Sequence, residues 1–133
     1  MKALDTNVLV RFLVRDDEVQ AKAVYRIFKQ TEADKNQFWV PLVVILEMLW
    51  VLESVYEIQK TEILDAIDEL LLMPILKFEA QSAIQGFVSS ARESKTDLPD
   101  FLIAHSAMHS GCDVVLTFDR KASKSPFFEL IGE

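Results

Sequence analysis

Five acidic residues carry the candidate chemistry of this sequence, each at a position where an acid needs an explanation. Asp5 directly follows "KAL", which is interpreted as a short strand, and Asp119 follows the apolar strand segment "VVLTF" in the same way. Glu47 lies inside the apolar run "VVILEMLWVL", and Asp97 and Asp100 flank the proline of "TDLPDFLIA". Carboxylates that converge repel one another unless they are protonated or bridged by cations. An all-oxygen set suits Mg²⁺ or Mn²⁺ better than zinc, and metal-bound water can attack a phosphodiester, so the pattern indicates metal-assisted hydrolysis.

Glu47 is the acid that capping explains least well. Its neighbours at helical spacing include Val43, Trp50 and Val51, which predicts a largely desolvated carboxylate. An unpaired buried charge costs several kcal/mol or becomes protonated. A metal ion or a basic partner therefore explains Glu47 better than a structural acid with a raised pKa does, and the structural acid stays open as the alternative.

The other four acids each have a structural explanation as well. Asp5 and Asp119 can act as N-caps of the segments that follow them. Asp97 and Asp100 fit the N-cap and the third helical position around Pro99, where the helix dipole favours negative charge. Position alone does not separate capping from metal binding for these residues.

Other chemistries have weaker support. His105 and His109 stand four residues apart in "HSAMH", which lacks the glutamate of the zinc-protease motif, and packing or surface roles are expected for both. Cys112 is the single cysteine, so no internal disulfide forms and a reducing cytoplasm is expected. No glycine-rich phosphate loop is present, which argues against nucleotide-driven chemistry.

Short apolar segments alternate with helical patterns along the chain, which predicts a three-layer α/β/α fold with a central parallel sheet. The 133 residues are expected to form one domain, 1–133. The predicted strands are residues 2–4, 37–40, 75–78 and 113–118. Ligands of such folds bind beyond the carboxyl ends of the strands, which is where Asp5 and Asp119 fall.

Composition restricts the class of protein further. Half of the residues are hydrophobic, which suggests a subunit interface, but the apolar run around Glu47 is interrupted by acids and no membrane association is expected. The net charge of −7 argues against broad adhesion to nucleic acid. Bound divalent cations would make the local field favourable to phosphates.

The segments "ALDTNVLVRFLVRDD", "VVILEMLWVL" and "TDLPDFLIAHSAMHSGCDVVLTFDRKASK" resemble the PIN-domain family, especially its VapC-type toxin ribonucleases of toxin–antitoxin modules. The resemblance covers essentially the whole chain. It implies an RNase that uses one or two Mg²⁺ or Mn²⁺ ions, a homodimer, and a small antitoxin protein that occludes the site. The metal-binding quartet implied by the resemblance is Asp5, Glu47, Asp100 and Asp119.

Further residues have supporting roles by the same resemblance. Asn7 and Thr117 would orient carboxylates, and Asp97 would be auxiliary. The acidic pI near 4.8 is low for an enzyme that handles RNA.

Basic residues near the acids offer contacts to an RNA backbone, with ordinary solvated surface as an equal alternative. These residues are Arg11, Arg15, Arg120, Lys121 and Lys124.

Two other functions compete with the nuclease. A Mg²⁺-dependent phosphoryl hydrolase with an aspartyl nucleophile also places an acid after the first strand, but such enzymes commonly carry a second aspartate where Asn7 stands. A noncatalytic interaction module would have kept the fold and lost activity, and the intact acids argue against it.

Overall fold

The computed structural model describes residues 1–132, in which short strands alternate with helices. The helices are α1 (Thr6–Leu13), α2 (Glu18–Ala33), α3 (Leu42–Ser54), α4 (Lys60–Leu71), α5 (Gln81–Ala91) and α6 (Leu98–His109). The strands are β1 (Lys2–Ala3), β2 (Phe38–Val40), β3 (Leu76–Phe78), β4 (Val115–Thr117) and β5 (Phe128–Leu130). A 3₁₀ helix spans Ala122–Lys124. The chain divides into two compact units, Met1–Glu79 and a second that begins at Ala80.

The first unit is built on a three-stranded parallel sheet in the order β1-β2-β3. Phe38 is paired with Lys2 on one side and with Leu76 on the other, which fixes the register of all three strands. Helix α1 packs against both α2 and α3. Phe12 of α1 and Phe28 of α2 have ring centroids 5.0 Å apart, and Phe28 lies 5.7 Å from Phe38. This aromatic chain anchors the first two helices to the sheet.

The second unit contains the helix pair α5 and α6 and a parallel pair of strands, β4 and β5. Val115 is paired with Phe128, and Thr117 with Leu130. The sequence predicts strand β4 but no strand at the position of β5. Three residues are too few to show an alternating pattern, so pairing with β4 decides the conformation of β5.

The α/β class with parallel strands is confirmed by these pairings. Each predicted strand segment is present in shorter form, and helices stand between the strands as the alternating pattern predicted. Among residues 1–132, no helix has the length and apolar character needed to cross a membrane.

His105 has a packing role in the second unit. The residue is 8% exposed, and its ring lies 4.8 Å from the ring of Phe101 and 5.3 Å from that of Phe127. Its Nε2 atom is buried and has no hydrogen-bond partner within the described residues. Gly86 leaves the space that the imidazole occupies, because a Cβ there would meet Nδ1 at 3.4 Å. Burial and, secondarily, the nearby His109 lower the pKa of His105.

Acid should therefore destabilise this unit through His105. In the unfolded chain His105 has the ordinary pKa of 6.5, so below that pH the unfolded state binds a proton that the folded state resists. We expect His105→Leu to raise the free energy of unfolding by about 1 kcal/mol near neutral pH, because a buried unpaired nitrogen is removed. The difference in the free energy of unfolding between the variant and the wild type should increase as the pH falls below 6.5. Urea unfolding of both proteins at pH 7.5 and pH 5 measures this difference.

The exposed His109 on the same helix provides the control. His109→Gln should leave most of the acid sensitivity of the wild-type protein in place, because burial is the larger cause of the lowered pKa of His105. If His105→Leu lost stability between the two pH values as steeply as the wild type does, His105 would not be the acid-sensitive group.

Candidate metal centre

Asp5 stands at the junction between β1 and α1. It is the N-cap residue of α1, with extended backbone (φ −82°, ψ 159°), and the backbone N–H of Thr6 donates to its Oδ1 at 2.6 Å. The buried Leu4 precedes it, while Asp5 itself is exposed. The capping position is thus observed, and the exposed carboxylate can still accept a further partner. Asn7 lies exposed in the first turn of the same helix.

Glu47 lies in the middle of α3, and its side chain is exposed. The predicted desolvation of Glu47 is therefore wrong. Val43 and Trp50 occupy the same face of the helix and are 70% and 57% exposed. In a helix that is apolar on nearly every side, periodicity does not show which face the rest of the protein covers.

Glu79 supports the helix that carries Glu47, a role that the sequence did not predict. Its Oε1 accepts a hydrogen bond from the backbone N–H of Leu42 at 2.8 Å. Helix α3 begins after Pro41, which offers no side-chain cap, so Glu79 serves in its place. The available signal was its position, because Glu79 directly follows β3 as Asp5 follows the end of the first strand segment.

Arg11 is held by groups of the first unit. Its Nε donates to Oε1 of Gln20 at 2.7 Å, and its Nη1 donates to Oη of Tyr56 at 2.9 Å and to Oδ1 of Asp16 at 3.2 Å. The hydrogen bond to Tyr56 is the largest cause of a raised pKa for Arg11. The guanidinium therefore ties the end of α1 to the residues beyond α3.

The second unit brings three acids and one lysine together. Asp97 is the N-cap residue of α6, but its side chain makes no capping bond; its Oδ1 accepts from Nζ of Lys121 at 3.0 Å. Side-chain capping by Asp97 is thus not observed, because Lys121 competes for the carboxylate. Asp100 lies in the first turn of the same helix.

Asp100 has a raised pKa. Partial burial is the largest cause, followed by the negative charges of Asp119 and Asp97, while Lys121 acts in the opposite direction. A carboxylate whose neighbours disfavour its charged form is typical of sites that hold a cation.

Asp119 is oriented by its own segment. Its backbone N–H donates to Oγ1 of Thr117 at 2.9 Å. Its Oδ1 accepts from the backbone N–H groups of Lys121 at 2.8 Å and Ala122 at 3.2 Å. The carboxylate thus caps the turn that leads into the 3₁₀ helix through Oδ1, and within residues 1–132 its Oδ2 has no hydrogen-bond partner and can bind a further ligand.

A family comparison adds to this geometry. The family model described as "PIN domain" matches residues 2–127. This chain belongs to the PIN domain family. Among curated proteins, a "VapC ribonuclease" of Aquifex aeolicus (strain VF5) is 25% identical over 127 residues, covering 96% of this chain and 93% of the relative.

The acids of the second unit supply oxygen atoms, the donor type that a hard divalent cation prefers. Burial is the largest cause of the raised pKa of Asp100, the charges of Asp119 and Asp97 add to it, and a bound cation would offset these effects. Within residues 1–132, no group of three or more His, Cys, Asp or Glu side chains has the arrangement of a metal site.

Proposed function

We propose that this chain is a Mg²⁺- or Mn²⁺-dependent endoribonuclease. The single observation that carries the proposal is Asp100, a partly buried carboxylate beside the negative charges of Asp119 and Asp97, in a chain that matches the PIN domain model over residues 2–127. The relative named as a ribonuclease supports RNA as the substrate class. Because the family match extends over both units, we also propose that residues 1–133 act as one nuclease domain.

The residues proposed to hold one or two cations are Asp5, Glu47, Asp100 and Asp119. When bound, the ion would supply an activated water for attack on the phosphodiester and would neutralise charge on the phosphate. Thr117 keeps the Asp119 segment in place through the bond at 2.9 Å, and Glu79 holds the start of α3 for Glu47. Asn7 and Asp97 are proposed as auxiliary polar neighbours.

Basic residues are proposed to contact the RNA backbone around these acids. Arg11 and Lys121 already bond to other side chains, so a smaller share of their charge is available to phosphates. The full set proposed is Arg11, Arg15, Arg120, Lys121 and Lys124.

We further propose that the chain is the toxin of a toxin–antitoxin module, that it acts in the cytoplasm, and that a small protein antitoxin blocks its site. The resemblance to VapC-type proteins supports this role. Cleavage of RNA by the purified chain in Mg²⁺, with the same RNA in EDTA as control, tests the enzymatic part. Co-expression with the product of any short reading frame just upstream tests the regulatory part, with growth arrest by this chain alone as the expected result.

A homodimer is the proposed assembly. The composition supports it, because half of the residues are hydrophobic and extended exposed apolar surface is typical of subunit interfaces. Light scattering at micromolar concentration should give about twice the chain mass of 15.2 kDa. A wild-type monomer at that concentration would contradict the proposal.

A further inference from the structure

A cleft of about 550 Å³ opens in the second unit beside the segment that joins α5 to α6. Its walls come from residues 93–96 of that segment and from residues 124–127, which follow β4. Small-molecule sites have volumes of roughly 300 to 1,000 Å³, so the cleft has room for a nucleotide.

The lining of the cleft is basic, although the chain is acidic. The lining contains three lysines, Lys95, Lys121 and Lys124, and one acid, Glu93. Its net charge is therefore +2, whereas the net charge of the chain is −7. Lys121 shares its ammonium group with Asp97. Within residues 1–132, no ion pair engages Lys95 or Lys124, so both ammonium groups can meet an anion.

Phe127 gives the cleft an aromatic wall. Its ring meets the ring of Phe101 edge to face, with centroids 5.7 Å apart and an interplanar angle of 71°, and lies 5.3 Å from the ring of His105. These contacts restrict the ring, while the side chain stays half-exposed toward the cleft. A restricted aromatic ring is a suitable surface for a base, because every base has a face that can stack.

A hydroxyl group adds a polar partner. Oγ of Ser125 accepts from the backbone N–H of Phe127 at 3.3 Å, and the hydroxyl keeps its own proton for donation. Ammonium groups, a hydroxyl donor and an aromatic ring together match a phosphate, a ribose and a base.

We propose that this cleft is a subsite for one nucleotide of single-stranded RNA, with its phosphate against Lys95 and Lys124 and its base against Phe127. The cleft adjoins the acid cluster, because Lys121 lines it and also bonds to Asp97. The subsite therefore lies beside the acids that are proposed to hold the cation. The assignment to substrate rests on the proposed ribonuclease function.

Binding without cleavage provides the test. A short fluorescein-labelled oligouridylate is titrated with the protein in EDTA and followed by fluorescence anisotropy. The double variant Lys95→Gln/Lys124→Gln should bind about tenfold more weakly, and the slope of log affinity against log salt should fall by roughly 0.7, because one phosphate contact is lost. The control Lys77→Gln, at an exposed position on β3, should bind as the wild type does. An unchanged affinity for the double variant would overturn the proposal.

The role of Phe127 is tested with two ligands. Phe127→Leu should weaken the oligouridylate about tenfold and leave an abasic oligonucleotide of the same length unaffected, because only the former has bases to stack. An equal loss for both ligands would overturn the stacking assignment. The lysine variants keep the subsite testable if Phe127→Leu does not fold, which circular dichroism would show.

A competing partner and a failure of the parent proposal give different results. If an oligoglutamate peptide displaced the RNA as well as unlabelled oligouridylate does, the cleft would be an anion site for acidic protein and the nucleotide assignment would be wrong. If the cleft bound RNA as described but the wild type did not cut RNA in Mg²⁺, the ribonuclease proposal alone would fail. If the wild type cut RNA while the double variant bound normally, the subsite alone would fail.

Discussion

Asp100→Asn should lower RNA cleavage by roughly a hundredfold or more while the metal-free protein keeps or gains stability. The amide preserves the shape of the side chain but removes the charge that a cation needs, and even residues that only support metal ligands typically contribute 10- to 100-fold. The neighbouring Asp119 and Asp97 already disfavour the charged form of Asp100, so removing that charge relieves repulsion. Initial rates on a fluorogenic RNA and thermal melting in EDTA measure the two effects.

The stability gain of Asp100→Asn should depend on pH with a defined sign. The folded-state pKa of Asp100 is raised above the unfolded value of 3.8, so its contribution to stability is fully present below that pH and is lost as the pH rises through the folded-state value. The variant should therefore be more stable than the wild type near neutral pH. The difference should disappear in acid, as the pH approaches 3.8 and below.

The same substitution at other acids separates metal ligands from caps. Asp5→Asn, Glu47→Gln and Asp119→Asn should lose activity as Asp100→Asn does. A residue that only caps should show almost no change, since asparagine caps about as well as aspartate. Asp97→Asn should lose little activity, and Glu62→Gln, at an exposed position in the first turn of α4, is the matched control.

Two results would revise the assignment. If Asp100→Asn cut RNA normally while Asp97→Asn did not, the two acids would exchange roles, and the bond between Asp97 and Lys121 would have to open in the active protein. If neither substitution mattered, α6 would contribute no metal ligand.

Local sequence predicted the backbone positions of the acids well. The sequence predicted that Asp5 stands between a strand and a helix, where it can act as an N-cap. The structure has Asp5 at the N-cap of α1, with a hydrogen bond from the backbone N–H of Thr6. Asp97 and Asp100 start α6 as expected because Pro99 fits the first turn of a helix. These features depend on a few adjacent residues.

Features that depend on distant residues were not predictable in the same way. Glu79 accepts a hydrogen bond from the backbone N–H of Leu42, which is 37 residues away in the sequence. Asp97 does not cap α6 with its side chain because that side chain bonds to Lys121, which is 24 residues away. The exposure of Glu47 depends on which face of α3 other elements cover, and an almost uniformly apolar helix carries little information about that. These contacts and exposures are determined by tertiary packing and not by the neighbouring residues in the sequence.

Removal of divalent cations should abolish cleavage of RNA. In EDTA the wild type should show no cutting above background, and Mg²⁺ or Mn²⁺ should restore it, because carboxylate oxygens without nitrogen or sulfur ligands favour these hard ions. Mn²⁺ should also raise the melting temperature of the wild-type protein, since a ligand that binds only the folded state stabilises it. Asp100→Asn should show a smaller rise.

The melting measurement makes the metal prediction independent of catalysis. A rise with Mn²⁺ that Asp100→Asn diminishes and Glu62→Gln does not would assign the cation to the acid cluster even if the chosen RNA were a poor substrate. Cleavage that continued undiminished in EDTA would contradict the metal mechanism. The repulsion among Asp97, Asp100 and Asp119 would then need another source of relief, and Lys121, whose pKa is raised by its hydrogen bond to Asp97, is the cation already in place to provide it.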